Sequence, residues 1–287
     1  MKPSKLINAF TVDVEDYFQV ESFSGVINRS EWDSYSCRVE ANTNRILDLL
    51  DTKNIKGTFF VLGWIAKRYP ELIREIHNRG HEVASHGMSH KLIYKQSPAE
   101  FRSETVDSKS LLEDIIGNKI LGYRAATYSI TNNSLWALDI LTEAGYAYDS
   151  SIFPMRHDRY GIHDANPYPG YIQTINGNRI IEFPISTFKK FGATLPVAGG
   201  GYFRLFPYLI SHYGLSQINK AGHEFLFYMH PWEIDDKQPK IKGVSRFTRF
   251  RHYNNLDQFE TRLIKLLNDF DFSTMTHVLS NLELLGH

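Results

Sequence analysis

Carboxylates and histidines recur where this sequence leaves its apolar runs. Asp13, Glu15 and Asp16 follow the run 6–12, His86 and His90 follow 81–85, and His230 follows 225–229. These are the side chains that move protons near neutral pH and bind divalent ions. His86 and His90 are separated by Gly-Met-Ser directly after an apolar stretch. On a loop or a first helical turn both imidazoles can face one ion. With one carboxylate, from Glu15 or Asp16, they would leave coordination positions open for water and substrate, as catalytic rather than structural metal sites do. His77 and His81 share the spacing, but His77 suits a helix C-terminus, where a cation is favoured. Arg124 lies in Gly122-Tyr-Arg-Ala-Ala126, whose small residues leave it room to reach inward. Asp149, Ser150 and Ser151 close a further apolar stretch. Each group has a plainer reading: a solvated acidic face, a core histidine, a surface arginine. What distinguishes them is that all occupy the same kind of position.

That position is the end of a strand. Residues 6–12, 57–62, 81–85, 120–123 and 146–149 read as strands. Between them, apolar residues at helical spacing predict helices over 39–53, 64–79, 98–116 and 131–144, with Thr131 as the cap of the last. Gly80, Gly117 and Gly145 stand where a C-terminal glycine belongs. Strands at 180–183, 225–229 and 272–276 and helices near 207–221 and 256–268 complete the pattern. Alternating strands and helices imply a parallel sheet, and seven or eight such units imply a closed (β/α) barrel. In that fold reactive groups gather at the C-terminal ends of strands, so the residues named above would converge on one rim. Residues 1–287 read as one domain, with the Tyr-, Pro- and Gly-rich segment 152–204 looping over the active face. Tyr160, Tyr202 and Trp232 read as exposed aromatic rings.

Several functions are excluded. Lys plus Arg equals Asp plus Glu at 32 each, for a formal net charge of zero. That balance gives no long-range attraction to nucleic acid or to anionic lipid. There is no Walker or dinucleotide glycine pattern, since Gly199-Gly-Gly201 lacks the spacing, and no Gly-x-Ser-x-Gly elbow around Ser85 or Ser151. Cys37 is the single cysteine, so no intrachain disulfide forms. No run reaches the ~20 apolar residues of a spanning helix, and none near the start has signal-peptide length. These features point to a soluble protein of the cytoplasm, free or peripheral to the inner membrane.

Taken in order, the motifs resemble those of the polysaccharide deacetylases of carbohydrate esterase family four, which share the nodulation-deacetylase homology domain. Thr11-Val-Asp13-Val-Glu-Asp16, Ser85-His-Gly-Met-Ser-His90, Gly122-Tyr-Arg124-Ala-Ala-Thr-Tyr-Ser-Ile130, Asp149-Ser-Ser151 and Tyr228-Met-His230-Pro resemble the five motifs. Asp13-Val-Glu-Asp-Tyr-Phe-Gln-Val20, Arg156-His-Asp-Arg-Tyr-Gly161, His230-Pro-Trp-Glu-Ile-Asp235 and Arg249-Phe-Arg-His-Tyr253 are similar to the subgroup associated with exosortase and exopolysaccharide clusters. The resemblance implies a distorted (β/α) barrel that hydrolyses N-acetyl groups on hexosamine residues of a saccharide. It implies Asp13 as general base, His230 as general acid, and Arg124 as the holder of Asp13. His86, His90 and either Glu15 or Asp16 would bind Zn²⁺ or another divalent ion such as Co²⁺. Asp149 or Asp158 would tune His230. Ala126 stands where the family usually has proline, and the first motif is Asp-x-Glu-Asp rather than adjacent aspartates. Two other functions share the scaffold: an amidohydrolase of a cyclic amide or ureide, and a carbohydrate-binding protein without catalysis.

Overall fold

The computed structural model describes residues 6–157, 160–190 and 192–286. In chain order its elements are β1 (Ile7–Val14), α1 (Val39–Thr52), β2 (Thr58–Val61), α2 (Gly63–Arg68), α3 (Pro70–Asn78), β3 (Glu82–Ser85), α4 (Pro98–Ile116), β4 (Gly122–Tyr123), α5 (Trp136–Glu143) and β5 (Tyr148–Asp149). Then come β6 (Gly170–Gln173), β7 (Arg179–Glu182), β8 (Thr187–Lys190), β9 (Ala193–Pro196), α6 (Gly200–Leu205), α7 (Tyr208–Lys220), β10 (Leu226–Met229), α8 (Arg246–Tyr253), α9 (Leu256–Asp269), β11 (Asp271–Ser273) and α10 (Met275–Asn281). All eight strands expected from sequence are present. The main sheet runs β10-β1-β2-β3-β4-β5-β7-β6, with β11 against the start of β1. Every pairing from β10 through to β7 is parallel, and only β6 is antiparallel.

The wall is a distorted barrel. Among the described residues no ladder joins β7 to β10. Single contacts cross that gap: Leu226 N donates to Ser186 Oγ (2.9 Å) and Tyr228 N to Ala198 O (2.9 Å). Gly199 lies here at φ +136°, where a Cβ would meet Tyr228 O at 1.9 Å, so only glycine lets the chain pass this close to β10.

Alternation along each strand sorts side chains to two sides. Phe10, Val12 and Val14 of β1 and Phe59 and Val61 of β2 pack outward against the helices. Ala9, Phe60, Ala84, Tyr148, Ile181, Leu226 and Tyr228 pack inside, where Met275, Val278 and Leu279 of α10 plug the end opposite the strand C-termini. The same alternation gives Thr11 and Asp13 to the interior, above that plug.

Local signals explain the helix bounds. Ser97 and Glu100 form a reciprocal capping box at α4 with Pro98 in its first turn, and Gly117 ends it at φ +71°. The single helix expected over 64–79 is two, because Pro70 has no N–H to continue α2 and instead starts α3. The helix expected from Thr131 starts at Trp136, since Thr131 closes a separate turn with Ser134 (N to Oγ, 2.9 Å). The segment 152–204 holds four strands and α6 rather than loops alone; each strand is only four residues long. No helix is long and apolar enough to cross a membrane among the described residues.

His81 is not a metal ligand. It is buried, and its Nδ1 accepts from Gly57 N (3.1 Å), which requires an unprotonated ring. Burial, aided by Lys56, pushes its pKa down to about 4. The folded state therefore binds this proton less readily than the unfolded state. The stabilisation is complete above the ordinary histidine value and declines as pH falls from there towards 4. His81→Gln keeps an acceptor without a titration. Urea midpoints measured across that window should show wild type losing on the order of 2 kcal/mol more than the variant; parallel curves would contradict this account.

Candidate active site

The rim formed by the strand C-termini is where the expected groups gather. Asp13 is the last inward residue of β1. Glu15 comes next on that side because the chain turns tightly, with Glu15 N donating to Asp13 O (3.0 Å). His86 and His90 follow β3. One ligand atom from each of Glu15, His86 and His90 lies within 4.8 Å of the others, and all three residues are buried. His90 Nε2 stands 2.7 Å from Glu15 Oε2. His86 Nδ1 is hydrogen bonded to Arg124 O (2.8 Å), which leaves Nε2 to bind an ion. Beyond that contact with His90 Nε2, Glu15 Oε2 has no hydrogen-bond partner, and His90 Nδ1 is buried with none. Burial pushes the His86 pKa down to about 4, so this ring is neutral. Burial would raise that of Glu15, but His90, His230 and His86 together hold it at about 2. A carboxylate and two imidazoles with unsatisfied donor atoms fit Zn²⁺ or Co²⁺ with positions left open. His90 reaches this place at φ +55°, a cost that only a fixed surrounding maintains.

Beside this cluster, Asp13 is fixed by Arg124. The guanidinium is fully buried. NH1 donates to Asp13 Oδ1 (2.6 Å) and Thr11 Oγ1 (2.9 Å), NH2 to Ser150 Oγ (2.9 Å) and Nε to Ser150 O (3.2 Å). Its face lies 3.9 Å from the Phe60 ring centroid. Asp13 Oδ2 is left for Tyr128 OH (3.5 Å) and His230 Nε2 (3.9 Å).

His230 arrives from the end of β10. Its Nδ1 is 3.1 Å from Glu233 Oε2, which also accepts from His230 N (3.0 Å). The other oxygen of Glu233 accepts from the buried Arg204 Nε (2.8 Å). Burial would depress the His230 pKa, but Glu233, Glu15 and Asp13 outweigh it and raise it to about 9. His230 is thus a cation at neutral pH, 3.7 Å from Glu15 Oε1 through Nε2.

Two residues named from sequence lie elsewhere. The Asp16 carboxylate accepts from the backbone N–H groups of Tyr17 (2.8 Å), Arg38 (2.6 Å) and Val39 (2.9 Å). It ties the turn after β1 to the start of α1 and stands outside the Glu15–His86–His90 group. Asp149 does not touch His230. It accepts from Ser151 Oγ (2.5 Å) and is paired with Glu182 in the barrel interior. The partner of His230 is Glu233, three residues on, which the sequence shows only as a carboxylate after Pro-Trp. Asp158 lies outside the described residues. Trp232 is buried rather than exposed: it stacks with His230 (5.1 Å) and His252 (4.3 Å), and its Nε1 donates to Glu15 Oε1 (3.3 Å).

Asp13, Glu15, His86, His90, His230 and Trp232 line a cleft of about 210 Å³. Thr127, Tyr128, His157 and Tyr160 form one part of its lining, and Phe247, Thr248, Arg251 and His252 of α8 another. Tyr202 lies in an adjoining depression.

Residues 32–148 match a family model described as polysaccharide deacetylase, and 150–280 match one described as a domain of unknown function. A peptidoglycan-N-acetylglucosamine deacetylase of Bacillus cereus is 33% identical over 34% of this chain and 36% of its own length. A chitooligosaccharide deacetylase of a Bradyrhizobium strain is 31% identical over 37% of this chain and 46% of its own. The match to these curated relatives thus spans between a third and a half of their length. A Mycobacterium smegmatis structure provisionally described as a polysaccharide deacetylase aligns with a TM-score of 0.64 at 21% identity, covering 99% of this chain and 92% of that one. The Puue allantoinase aligns at 0.60 and 16%, covering 98% and 91%. These two are likenesses of fold. The cleft draws on both matched segments and on residues ahead of them: Asp13 and Glu15 precede residue 32, His86, His90 and Arg124 lie in the first segment, and Arg204, His230 and Glu233 in the second.

Elemental analysis distinguishes the carboxylates. His86→Ala and Glu15→Ala should each lose the bound divalent ion. Asp16→Ala should keep it, while losing about 1–3 kcal/mol of stability as three backbone donors go unpaired. An Asp16→Ala protein without metal beside a metal-replete Glu15→Ala would reverse the assignment.

Proposed function

Since residues 32–148 belong to the polysaccharide deacetylase family, we propose that this chain removes N-acetyl groups from hexosamine residues of a poly- or oligosaccharide by metal-dependent hydrolysis. The observation that carries the reading is the convergence of a metal-ready Glu15–His86–His90 cluster with an arginine-held carboxylate and a carboxylate-held histidine. Zn²⁺ or Co²⁺ held by Glu15, His86 and His90 would supply Lewis acidity to the acetyl carbonyl and the water beside it.

The protein's own groups account for the proton movements. Arg124 occupies Oδ1 of Asp13, so Oδ2 is the oxygen that takes the proton of the attacking water. His230, cationic through Glu233, gives its proton to the departing amine, a step typically worth ~10²–10⁴ in rate. Glu233 then restores the imidazole's affinity for the next proton, and Arg204 keeps Glu233 ionised. Tyr128 closes the site beside Asp13, and Tyr160, stacked with His157 and Phe153, lines the cleft. The two matched segments act as one unit in this reading, because β5 and β7 pair across their boundary and His230 stands beside Asp13. The substrate is a saccharide at a stage before export, inside the cell; the similarity to exopolysaccharide-associated proteins supports this, as does the absence of any cysteine besides Cys37.

Release of acetate from N-acetylglucosamine oligomers should stop with chelator and return with Zn²⁺ or Co²⁺, and oligomers should react faster than the monosaccharide. Faster hydrolysis of a cyclic ureide would make the chain a small-molecule amidohydrolase. Saccharide binding without acetate release, metal present, would make it a binding protein. Glu233→Gln should keep its metal and KM while kcat falls by roughly 10- to 100-fold. An unchanged kcat would remove Glu233 from the mechanism.

A further inference from the structure

Between Asp236 and Asp257 the chain carries six cationic side chains, Lys237, Lys240, Lys242, Arg246, Arg249 and Arg251, and no carboxylate. The whole protein has a formal net charge of zero, so this is a local concentration rather than a share of a basic surface. All six are exposed. The ion pairs among described residues, such as those of Arg204 and His230 nearby, leave all six out.

The helix in this stretch is fixed on one side and bare on the other. Ser245 caps α8 by accepting from Thr248 N (3.0 Å). His252 anchors it from within, bonded to Gln238 Oε1 (2.7 Å) and stacked on Trp232. On the outside, Phe247 is 67% exposed and Phe250 53%. Phe250 borders a shallow depression with Leu205, itself 46% exposed. Apolar side chains grouped in this way on a surface mark a place of contact. Phe247 and Arg251 also line the reactive cleft, so the bare face and the cleft mouth share one wall.

We propose that this face docks the protein on an anionic phospholipid surface. Phe247, Phe250 and Leu205 enter the boundary between headgroups and acyl chains, and the six cations meet lipid phosphates. A hydrated polyanion, such as an acidic polysaccharide, would satisfy the cations but offers no hydrocarbon in which Phe250 and Leu205 could be buried. Docked in this way, the cleft mouth opens at the membrane, where a lipid-anchored saccharide would be presented. The docking does not depend on the hydrolysis proposed above.

The test is co-sedimentation of the full chain with vesicles of phosphatidylcholine alone or mixed with phosphatidylglycerol, over a salt series. Binding should require phosphatidylglycerol and weaken with salt. The Lys240→Glu/Arg246→Glu/Arg249→Glu variant should bind more than about tenfold more weakly. Phe250→Ser should bind several-fold more weakly while keeping the salt dependence. None of these four residues lines the reactive cleft. Equal binding to both vesicle types, or no binding to either, overturns the proposal on the unaltered protein. Retention on an alginate column that the charge reversal abolishes, with Phe250→Ser indistinguishable from wild type on vesicles, overturns it in favour of a polyanion.

Discussion

The fully buried guanidinium of Arg124 is the group on which the rest of the site depends. A cation without water costs several kcal/mol unless it is paired and its donors are filled. Here the pairing also sets geometry. The side chain links β1 through Thr11 and Asp13 to Ser150 just beyond β5, across the barrel interior. Its backbone carbonyl, meanwhile, takes His86 Nδ1. One residue therefore fixes both the free oxygen of Asp13 and the free nitrogen of His86. Shortening it would leave Asp13 as an unpaired buried anion and release the orientation of His86 together.

Further acids lie in the same interior. Asp149 and Glu182 are neighbours on β5 and β7, directly paired in register. Burial pushes Asp149 up to about 6, and burial together with Asp149 pushes Glu182 well above the usual carboxylate range. Two adjacent carboxyls out of water cannot both ionise, so they share a proton. Glu82, nearer the plug, is also raised by burial, and its oxygens are occupied by Thr58, Tyr148 and Thr276. Only Asp13 has Arg124 as a direct ion-pair partner, and the acids beneath it are kept partly protonated. The charge needed for chemistry is thereby confined to the rim.

Much of this was legible in the sequence because strand ends are legible. A short apolar run followed at once by a carboxylate, histidine or arginine says where the residue sits, and the barrel says that such places converge. All eight strands and the convergence of Asp13, His86, His90, Arg124 and His230 follow from that logic. The choice between Glu15 and Asp16 did not, since it depends on a tight backbone turn that returns Glu15 to the interior and sends Asp16 to cap α1. Glu233 was hidden because its bond to His230 arises in a short helical turn after Pro231, with no periodicity to mark it. Trp232 reads from the sequence as an exposed ring and is instead packed between His230 and α8. That helix was itself invisible: Arg, Phe, Thr and His in alternation give no apolar stripe, and its place is set by His252 and Ser245 rather than by a core face.

The division of the chain into two matched segments falls between β5 and the rest of the sheet, yet the reactive cleft does not respect it. The first segment contributes two metal-ready imidazoles and the arginine; the second contributes His230 with the Glu233–Arg204 support that keeps it cationic. A strand C-terminus can deliver a side chain to the rim, but it cannot by itself set that side chain's protonation. For Asp13 the control comes from one buried cation. For His230 it comes from a carboxylate held by a second buried cation, Arg204, whose remaining donors are filled by His252 O and Asn254 O at the end of α8. The charge state of His230 is therefore coupled to the seating of α8, the helix that also forms a wall of the cleft. The cleft wall and His230 are built on one network, so a shift of α8 would alter both at once.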